Sequence, residues 1–423
     1  MCIKLILEAS ISFRAAPKAI YVMFSQFVAV QKQRIPSYKT IVRWLTIVGL
    51  YKLNRTKEKS NDWALIVDNS IQIGTQKCLV ILGTMLSNFH GKALTFKDME
   101  PLVIELHDRS DASTVNKALE KARQKVGEVE MICSDDGTDL RGGISLFCEK
   151  YHAGRVLDIT HKVATFLKKI LENDLAWQSF CTEAAETKRK MQQTPGAHLV
   201  PPNQRTKSRF LNIECLTGWA VNVIEALEKA DLPDKNMLWL HCGWILKYKE
   251  LIGRLKQFVL IGQTVRQYIR EKGFHKNTAI EVEKAFDLLC LDADGYQYAG
   301  MIIDFLEEQS AIVPENRVWI GSSEIIESLF GKMKHLEQDQ SKGGFTSLIL
   351  AAAACVGTVD AAIVFEAMKQ VKIKDVKIWI ENQIGSTLMS KRRKVFGSCL
   401  RKRLAKIVGY ESAGIIERNA ICF

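Results

Sequence analysis

Two acidic residues come at the end of apolar runs, and a third lies in a helix-patterned segment. Asp68 ends the apolar run WALIVD, and Asp135 follows a second apolar run and precedes a turn that contains glycine. A charge at the end of an apolar strand is costly unless it projects from the sheet or binds a cation. Glu327 lies in the segment SSEIIESLFGKMK, on the same helical face as Lys334. The pattern predicts that a helix brings a third acid to a pair held at strand ends.

Carboxylates that share a site repel each other unless a divalent cation lies between them. A small set of hard oxygen ligands suits Mg²⁺ or Mn²⁺ better than zinc. A pair of such ions can activate a water or a 3′-hydroxyl and stabilise the leaving oxygen of a phosphodiester. We therefore expect Asp68, Asp135 and Glu327 to be catalytic metal ligands, with Mg²⁺ or Mn²⁺ as the cofactor and two ions in the site.

The elements that would position these acids form an α/β pattern. Apolar runs bounded by turn residues predict five strands, and helix-patterned segments over about 110–126 and 140–151 lie on either side of the fourth. The predicted strands are Trp63–Asp68, Lys77–Gly83, Lys92–Phe96, Val129–Cys133 and Arg155–Asp158. The order βββαβαβ indicates a mixed sheet with an antiparallel edge, a parallel remainder and helices around it.

The rest of the chain is patterned for helices. Residues from Ile159 to about Pro314 contain few strand signals and predict an all-α insertion. A helix then opens at SSE and runs to about His335. The stretch Phe345–Phe365 has about 14 apolar residues before Asp360, which is short of the roughly 20 that span a bilayer. It predicts a buried core helix, so we expect no membrane partner.

Basic residues are concentrated at the two ends of the chain. The formal net charge is +12, of which residues 1–60 carry +9 and residues 386–423 carry +7, while the middle carries −4. Near the N-terminus, a helix, a turn at Pro36 and a second helix from Ser37 to Gly49 are similar to a helix-turn-helix module, with Lys39 and Arg43 exposed. We expect these residues to contact DNA phosphates. A second basic group stands in the tail: Lys391, Arg392, Arg393, Lys394, Arg401, Lys402 and Arg403.

The eleven cysteines are odd in number, and no two are spaced as CxxC. This pattern argues against a disulfide framework or a zinc ribbon, and we expect reduced thiols. The first residues, MCIKLILEAS, do not form a secretory signal because the apolar stretch is short and carries charges. We expect a cytoplasmic protein, associated with the nucleoid if the source is bacterial.

The order and local motifs of the three acids resemble an RNase H-like DDE transposase of the insertion-sequence type. The motifs are LIVDNS with Asp68, ICSDDGTDLRGG with Asp135, and SSEIIESLFGKMK with Glu327. The third acid stands 192 positions after the second, which is similar to the Mutator-like arrangement with a helical insertion before the third acid. That group also carries a Cys- or Asp-x-x-His motif after the fifth strand, and Asp158 and His161 stand in that position.

The resemblance implies metal-dependent nicking at transposon ends, transfer of the 3′-hydroxyl strand to target DNA, and a homodimer or larger assembly on double-stranded DNA. It implies supporting roles for Asp158, His161 and Lys334. Asp136 and Asp139 remain alternatives to Asp135, and Glu324 to Glu327. A non-catalytic, domesticated DNA-binding protein and another RNase H-like nuclease remain alternative functions.

The predicted domain organisation follows from these segments. It comprises a helix-turn-helix-like module (1–58), the first part of the RNase H-like core (59–165), the all-α insertion (166–315), the last part of the core with Glu327 (316–375) and the basic tail (376–423).

Overall fold

The computed structural model describes residues 1–25, 35–73, 76–204, 210–211, 213–229, 235–338, 347–385 and 395–397. Its centre is one five-stranded sheet in the order β3-β2-β1-β4-β5. The strands are β1 (Ser60–Ile73), β2 (Gln76–Met85), β3 (Glu100–His107), β4 (Gly127–Ser134) and β5 (Gly154–Leu157). β1, β2 and β3 are antiparallel neighbours, whereas β4 runs parallel to β1 and β5 runs parallel to β4. This mixed sheet is the RNase H-like arrangement that the strand order predicted.

Helices surround the sheet. Before it lie α1 (Cys2–Leu7), α2 (Ala15–Ser25) and α3 (Tyr38–Asn54); within it lie α4 (Ala112–Val126) and α5 (Thr138–Tyr151). Among the described residues, seven helices lie between β5 and Trp319: α6 (Ile159–Leu171), α7 (Leu175–Met191), α8 (Ile213–Glu228), α9 (Lys235–Cys242), α10 (Lys249–Lys272), α11 (Thr278–Phe286) and α12 (Ala293–Ile312). They are followed by α13 (Glu324–Gln338), α14 (Leu350–Cys355), α15 (Ala361–Gln370) and α16 (Ile373–Ile384).

The two faces of the sheet belong to two separate hydrophobic clusters. Leu65 and Val67 of β1 pack with the buried sides of α4 and α5. Ala64 and Ile66 of the same strand lie in the larger cluster with α13, α14 and the insertion helices. Strand side chains alternate between faces, so a continuous apolar strand such as β1 needs a layer of helices on each side. The fold is therefore α/β with helices on both faces of the sheet.

The third strand is not where the sequence pattern placed it. Residues 92–95 form a loop, a short 3-10 turn follows at Phe96–Asp98, and the strand is Glu100–His107. Pro101 masked this strand in the sequence, because proline is disfavoured inside a sheet. β3 is the edge of the sheet, where the missing N–H of a proline is tolerated.

Gly49 does not end its helix, contrary to the prediction. α3 begins as expected after Ser37, whose side chain accepts a hydrogen bond from Thr40 N–H, but it continues to Asn54. Gly49 lies against α14, where a Cβ atom would stand only 1.9 Å from the Leu350 carbonyl oxygen. This glycine permits close packing of two helices, a requirement that local sequence does not reveal.

The predicted single helix over Phe345–Phe365 is two helices. α14 ends at Cys355 and α15 begins at Ala361, with Asp360 as its N-cap. Gly357 between them has φ +71°, a left-handed value that interrupts a helix. The buried Lys52 of α3 donates hydrogen bonds to the carbonyl oxygens of Val356 and Thr358 and so satisfies the backbone at the break. Among the described helices, none is long and apolar enough to cross a membrane.

Candidate active site

Asp68 and Asp135 lie next to each other where the parallel pairing of β1 with β4 ends. The prediction that the first strand ends at Asp68 is wrong, because β1 continues to Ile73 in antiparallel pairing with β2. The parallel pairing of β1 with β4 aligns Val67 with Ser134, and each acid is the next residue along its chain. Asp68 is only 8% exposed, and the register of β1 with β2 shifts directly after it. Irregularities of this kind re-aim side chains at the rims of sheets. The parallel pairing thus brings together two acids that are 67 residues apart.

Both acids also face the side of the sheet that carries α13. Asp68 has the same parity as Ala64 and Ile66, which pack in the cluster that contains the buried side of α13. Asp135 follows Cys133, which belongs to that cluster as well. α13 packs directly on β1. The helix that carries Glu327 therefore packs on the face of the sheet on which Asp68 and Asp135 emerge.

The two other acids near Asp135 form ion pairs with basic residues. Asp136 forms ion pairs with Arg141 and Arg155, at 2.7 and 2.9 Å. Asp139 is paired with Lys77. The Asp135 carboxylate instead accepts a hydrogen bond from Gly137 N–H at 3.1 Å, within its own turn. Of the three acids in this turn, Asp135 is the one without an ion pair to arginine or lysine in the described part of the chain.

Asp158 joins the end of the sheet to the start of α13. It is 1% exposed and is the N-cap of α6, where it accepts a hydrogen bond from His161 N–H at 2.8 Å. It also accepts a hydrogen bond from Ser323 N–H. Its own N–H donates to the Ser134 carbonyl oxygen at 2.9 Å. Asp158 therefore connects three segments: its side chain binds the start of α6 and the residue before α13, and its backbone N–H binds the end of β4.

His161 contacts the third predicted acid. Its Nε2 atom lies 3.0 Å from Oε1 of Glu327. Burial disfavours the charged imidazole, but the hydrogen bond to Glu327 and the charges of Asp158, Glu327 and Asp135 outweigh burial and raise the pKa of His161 to about 9. The imidazole is therefore protonated at neutral pH and holds the Glu327 carboxylate by a charge-assisted hydrogen bond.

The other residues of α13 are placed differently. Glu324, the alternative third acid, accepts a hydrogen bond from Thr160 Oγ1 at 3.2 Å and from Arg270 at 3.4 Å. Its carboxylate is thus turned toward the insertion helix α10. Lys334 is exposed two turns beyond Glu327.

The donor set has the chemistry of a divalent-cation site, since carboxylate oxygens are the ligands that Mg²⁺ and Mn²⁺ prefer. Asp68 and Asp135 supply such oxygens at the end of the β1–β4 pairing, and Glu327 lies on the exposed side of α13, in contact with His161. The three carboxylates do not converge: within the described ranges, no group of three His, Cys, Asp or Glu side chains is close enough to hold a metal ion.

The residues predicted to contact DNA are only partly described. Lys39 and Arg43 are exposed, one turn apart on α3. The buried side of α3 packs against α14, α15 and β3. Lys391, Arg392, Arg393, Lys394, Arg401, Lys402 and Arg403 lie outside the described residues.

The sequence patterns did not identify the residues that attach the segment after the insertion to the rest of the fold. Trp319 donates from Nε1 to Glu130 at 2.8 Å and pairs its backbone with Phe274. Its ring lies so close to Gly154 that a Cβ there would stand 2.0 Å away. The Gly321 carbonyl oxygen accepts from Ile159 N–H at 3.0 Å. These contacts join residues more than 40 positions apart, so no local pattern signals them.

Comparisons with known proteins give structural likeness without a sequence match. No family model matches the chain, and no curated protein matches it. A solved structure, the Drosophila P element transposase strand transfer complex, is similar to it with a TM-score of 0.37 and 14% sequence identity. The alignment covers 84% of this chain and 89% of that chain.

Proposed function

We propose that the chain is a metal-dependent DNA transposase that nicks DNA at transposon ends and transfers the freed 3′-hydroxyl strand to target DNA. The observation that supports this proposal is the adjacency of Asp68 and Asp135 directly after the last paired residues of β1 and β4, on a sheet against which the helix with Glu327 packs. Two adjacent carboxylates repel each other, and a divalent cation between them would remove that repulsion.

The residues would divide the work as follows. Asp68, Asp135 and Glu327 would hold Mg²⁺ or Mn²⁺, with two ions in the complete site. Divalent ions between carboxylates activate an attacking oxygen and stabilise the leaving oxygen of a phosphodiester. His161 would orient the Glu327 carboxylate until the ion is bound, and Asp158 would fix α6 and α13 on the sheet. Lys334 would meet a DNA phosphate further along α13.

Contacts to DNA would come from the basic ends. Lys39 and Arg43 on α3 and the basic residues of the tail would neutralise backbone phosphates, which gives salt-dependent binding without base readout. Joining two ends requires at least two copies of the chain on double-stranded DNA. We also propose the domain boundaries given by the sequence analysis and a cytoplasmic location.

The test is cleavage of a supercoiled plasmid by the full chain in Mn²⁺. We expect nicked circles from the wild type and a loss of at least about 10²-fold in rate for Asp68→Asn, Asp135→Asn and Glu327→Gln, because each removes a charged metal ligand. The matched controls are Asp136→Asn and Glu324→Gln, which change neighbouring acids that bind arginine. These controls should retain most of the activity, and all variants should still bind DNA.

A joining assay separates a transposase from a nuclease. DNA fragments that flank the coding sequence are incubated with the plasmid, and a transposase gives joined products whereas a nuclease gives only cut ones. Equal activity of the wild type and the three acid variants would overturn the enzyme proposal.

One observation favours the second candidate, a non-catalytic DNA-binding protein. Glu327 already bonds to His161, and the described side chains do not form a closed group of three ligands. Metal-independent DNA binding with no nicking by the wild type would select this function.

A further inference from the structure

The backbone of β1 loses regular pairing at Asp68. The parallel pairing with β4 ends one residue earlier, where Val67 is aligned with Ser134. On the other side, the antiparallel pairing with β2 aligns Asp68 with Val80, and its register then shifts before pairing resumes at Ile71. Backbone segments with fewer hydrogen bonds open at a lower free energy. The direction of the Asp68 side chain therefore depends on contacts other than the strand ladder.

Asn69, the residue after Asp68, makes such contacts. Its Nδ2 atom donates a hydrogen bond to Oγ of Ser110 at 2.8 Å. Its backbone N–H donates to Oδ1 of Asp68 at 2.5 Å. The side chain of Asn69 thus attaches this irregular point of β1 to another segment, while the backbone of the same residue contacts the carboxylate. The position of Asn69 therefore influences the direction of the Asp68 carboxylate.

Ser110 is itself held in place by α4, because it directly precedes the N-cap of that helix. The N-cap residue Asp111 accepts a hydrogen bond from Thr114 N–H at 2.8 Å. Val115 on the buried side of α4 packs in the same hydrophobic cluster as Val67 of β1. Interiors of this kind are close-packed and yield little. The packed core therefore fixes the serine hydroxyl relative to the strand.

The other end of the Asn69 side chain gives no support to the fold. Its Oδ1 atom is buried and has no hydrogen-bond partner among the described residues. A buried acceptor without a partner costs free energy, which offsets the gain from a single hydrogen bond elsewhere on the same side chain. We therefore expect the Asn69 side chain to add little to the stability of the fold, and its loss to alter local geometry more than global stability.

A fixed carboxylate direction matters most for a metal ligand. A side chain that is already oriented loses less rotamer freedom when it binds an ion. Residues that hold metal ligands in place by hydrogen bonds typically contribute about 10- to 100-fold to metal affinity. Asp68 is the acid that Asn69 contacts, and it is one of the two proposed ligands next to each other on the sheet.

We propose that Asn69 is a positioning residue that orients the Asp68 carboxylate toward the metal ion of the candidate active site, with Ser110 as its anchor. This inference rests on the proposed function, because it requires Asp68 to bind a divalent cation. Asn69 and Ser110 do not touch the ion and act only through Asp68. Their contact sets the affinity of the site for its ion.

The test is titration of the full chain with Mn²⁺ without DNA, in which electron paramagnetic resonance measures the free ion. We expect Asp68→Asn to abolish the binding and Asn69→Ala to weaken it about tenfold. Ser110→Ala should weaken it by a similar factor, whereas Ser110→Thr keeps the hydroxyl and should bind like the wild type. The matched control is Asn116→Ala, which changes a half-buried asparagine of α4 whose Oδ1 also has no partner in the described chain.

A double variant shows whether the two residues act through one contact. The combination of Asn69→Ala with Ser110→Ala should weaken Mn²⁺ binding no more than either change alone, because the second change finds no contact left to remove. Urea unfolding of Asn69→Ala without metal should have nearly the same midpoint as the wild type. A large fall of that midpoint would assign the residue to stability and overturn the positioning role.

The outcomes separate this inference from the proposed function. If the wild type binds no Mn²⁺, or if Asp68→Asn binds it equally well, the proposed metal site fails and the positioning role fails with it. If Asp68→Asn loses the ion but Asn69→Ala and Ser110→Ala bind it like the wild type, only the positioning role is overturned. The same holds if Asn116→Ala weakens binding as much as Asn69→Ala does, or if the two single effects multiply in the double variant.

Discussion

The carboxylate of Asp158 accepts a hydrogen bond from the backbone N–H of Ser323, a residue 165 positions later in the chain. The whole helical insertion lies between these two residues. Because Ser323 directly precedes α13, this bond sets where the helix with Glu327 begins. The contact holds the start of α13 beside the end of β5 across the whole insertion.

Replacing Asp158 with alanine should destabilise the fold strongly. The change leaves the amides of His161 and Ser323 without their acceptor in a buried place, which costs about 1–3 kcal/mol for each unsatisfied group. Urea denaturation measures the loss. The matched control is Asp111→Ala, because Asp111 caps α4 through Thr114 N–H on the exposed surface. A loss for Asp158→Ala no larger than that of the control would contradict a joining role for this residue.

The imidazole of His161 should titrate with a pKa of about 9 when no divalent ion is present. NMR of the ring protons against pH measures it. In Glu327→Gln the pKa should fall, because the charged acceptor is gone. The folded pKa lies above the unfolded value of about 6.5, so this interaction stabilises the fold fully below pH 6.5 and is lost as the pH rises through 9. An unchanged pKa in Glu327→Gln would show that the two side chains do not meet in solution.

The same titration reports on metal binding. If Glu327 leaves His161 to bind an ion, Mg²⁺ should lower the pKa of His161 in the wild type. The shift should disappear in Asp68→Asn, which removes a proposed ligand without touching the histidine.

Gly49→Ala should destabilise the chain by about 1–3 kcal/mol, the usual cost of forcing atoms into a packed interface. The new Cβ would collide with the Leu350 backbone of α14. The control is Gly253→Ala in α10, where no atom lies within 4 Å of the added Cβ. That change should stabilise the helix by about 0.5–1 kcal/mol. Thermal unfolding of both variants measures the two changes in stability. Changes of the same sign would contradict the close packing of α3 on α14.

The buried ammonium group of Lys52 should make stability depend on alkaline pH. Burial lowers its folded pKa to about 7, while the unfolded value is about 10.4. Between these values the unfolded chain binds more protons, so the free energy of unfolding rises with pH, by up to about 1.4 kcal/mol per pH unit from this group. Lys52→Met should remove this contribution. Chemical denaturation of both proteins between pH 7 and pH 10 gives the difference, and parallel curves would contradict a lowered pKa.

The sequence by itself determined the order of the elements and the position of Asp135 directly after β4. The apolar runs of β1, β2 and β4 were sufficient to locate these strands. The end of β1 was not, because the strand continues past Asp68 to Ile73 in pairing with β2. Ser37 was recognisable as an N-cap because capping is a local hydrogen bond. The one strand that was misplaced, β3, contains Pro101, a residue that is tolerated there only because the strand is at the edge.

Tertiary structure alone decided which acids are engaged by other residues and which remain at the candidate site. The local pattern favours Asp135 over Asp136 and Asp139 only because it directly follows the strand, and the ion pairs of the other two with Arg141, Arg155 and Lys77 are visible only in the fold. The same holds for Gly49, a helix end by local rules and a helix contact in the fold. Hydrogen bonds such as Asp158 to Ser323 join residues across the whole insertion, and their formation depends on packing that no short window of sequence contains.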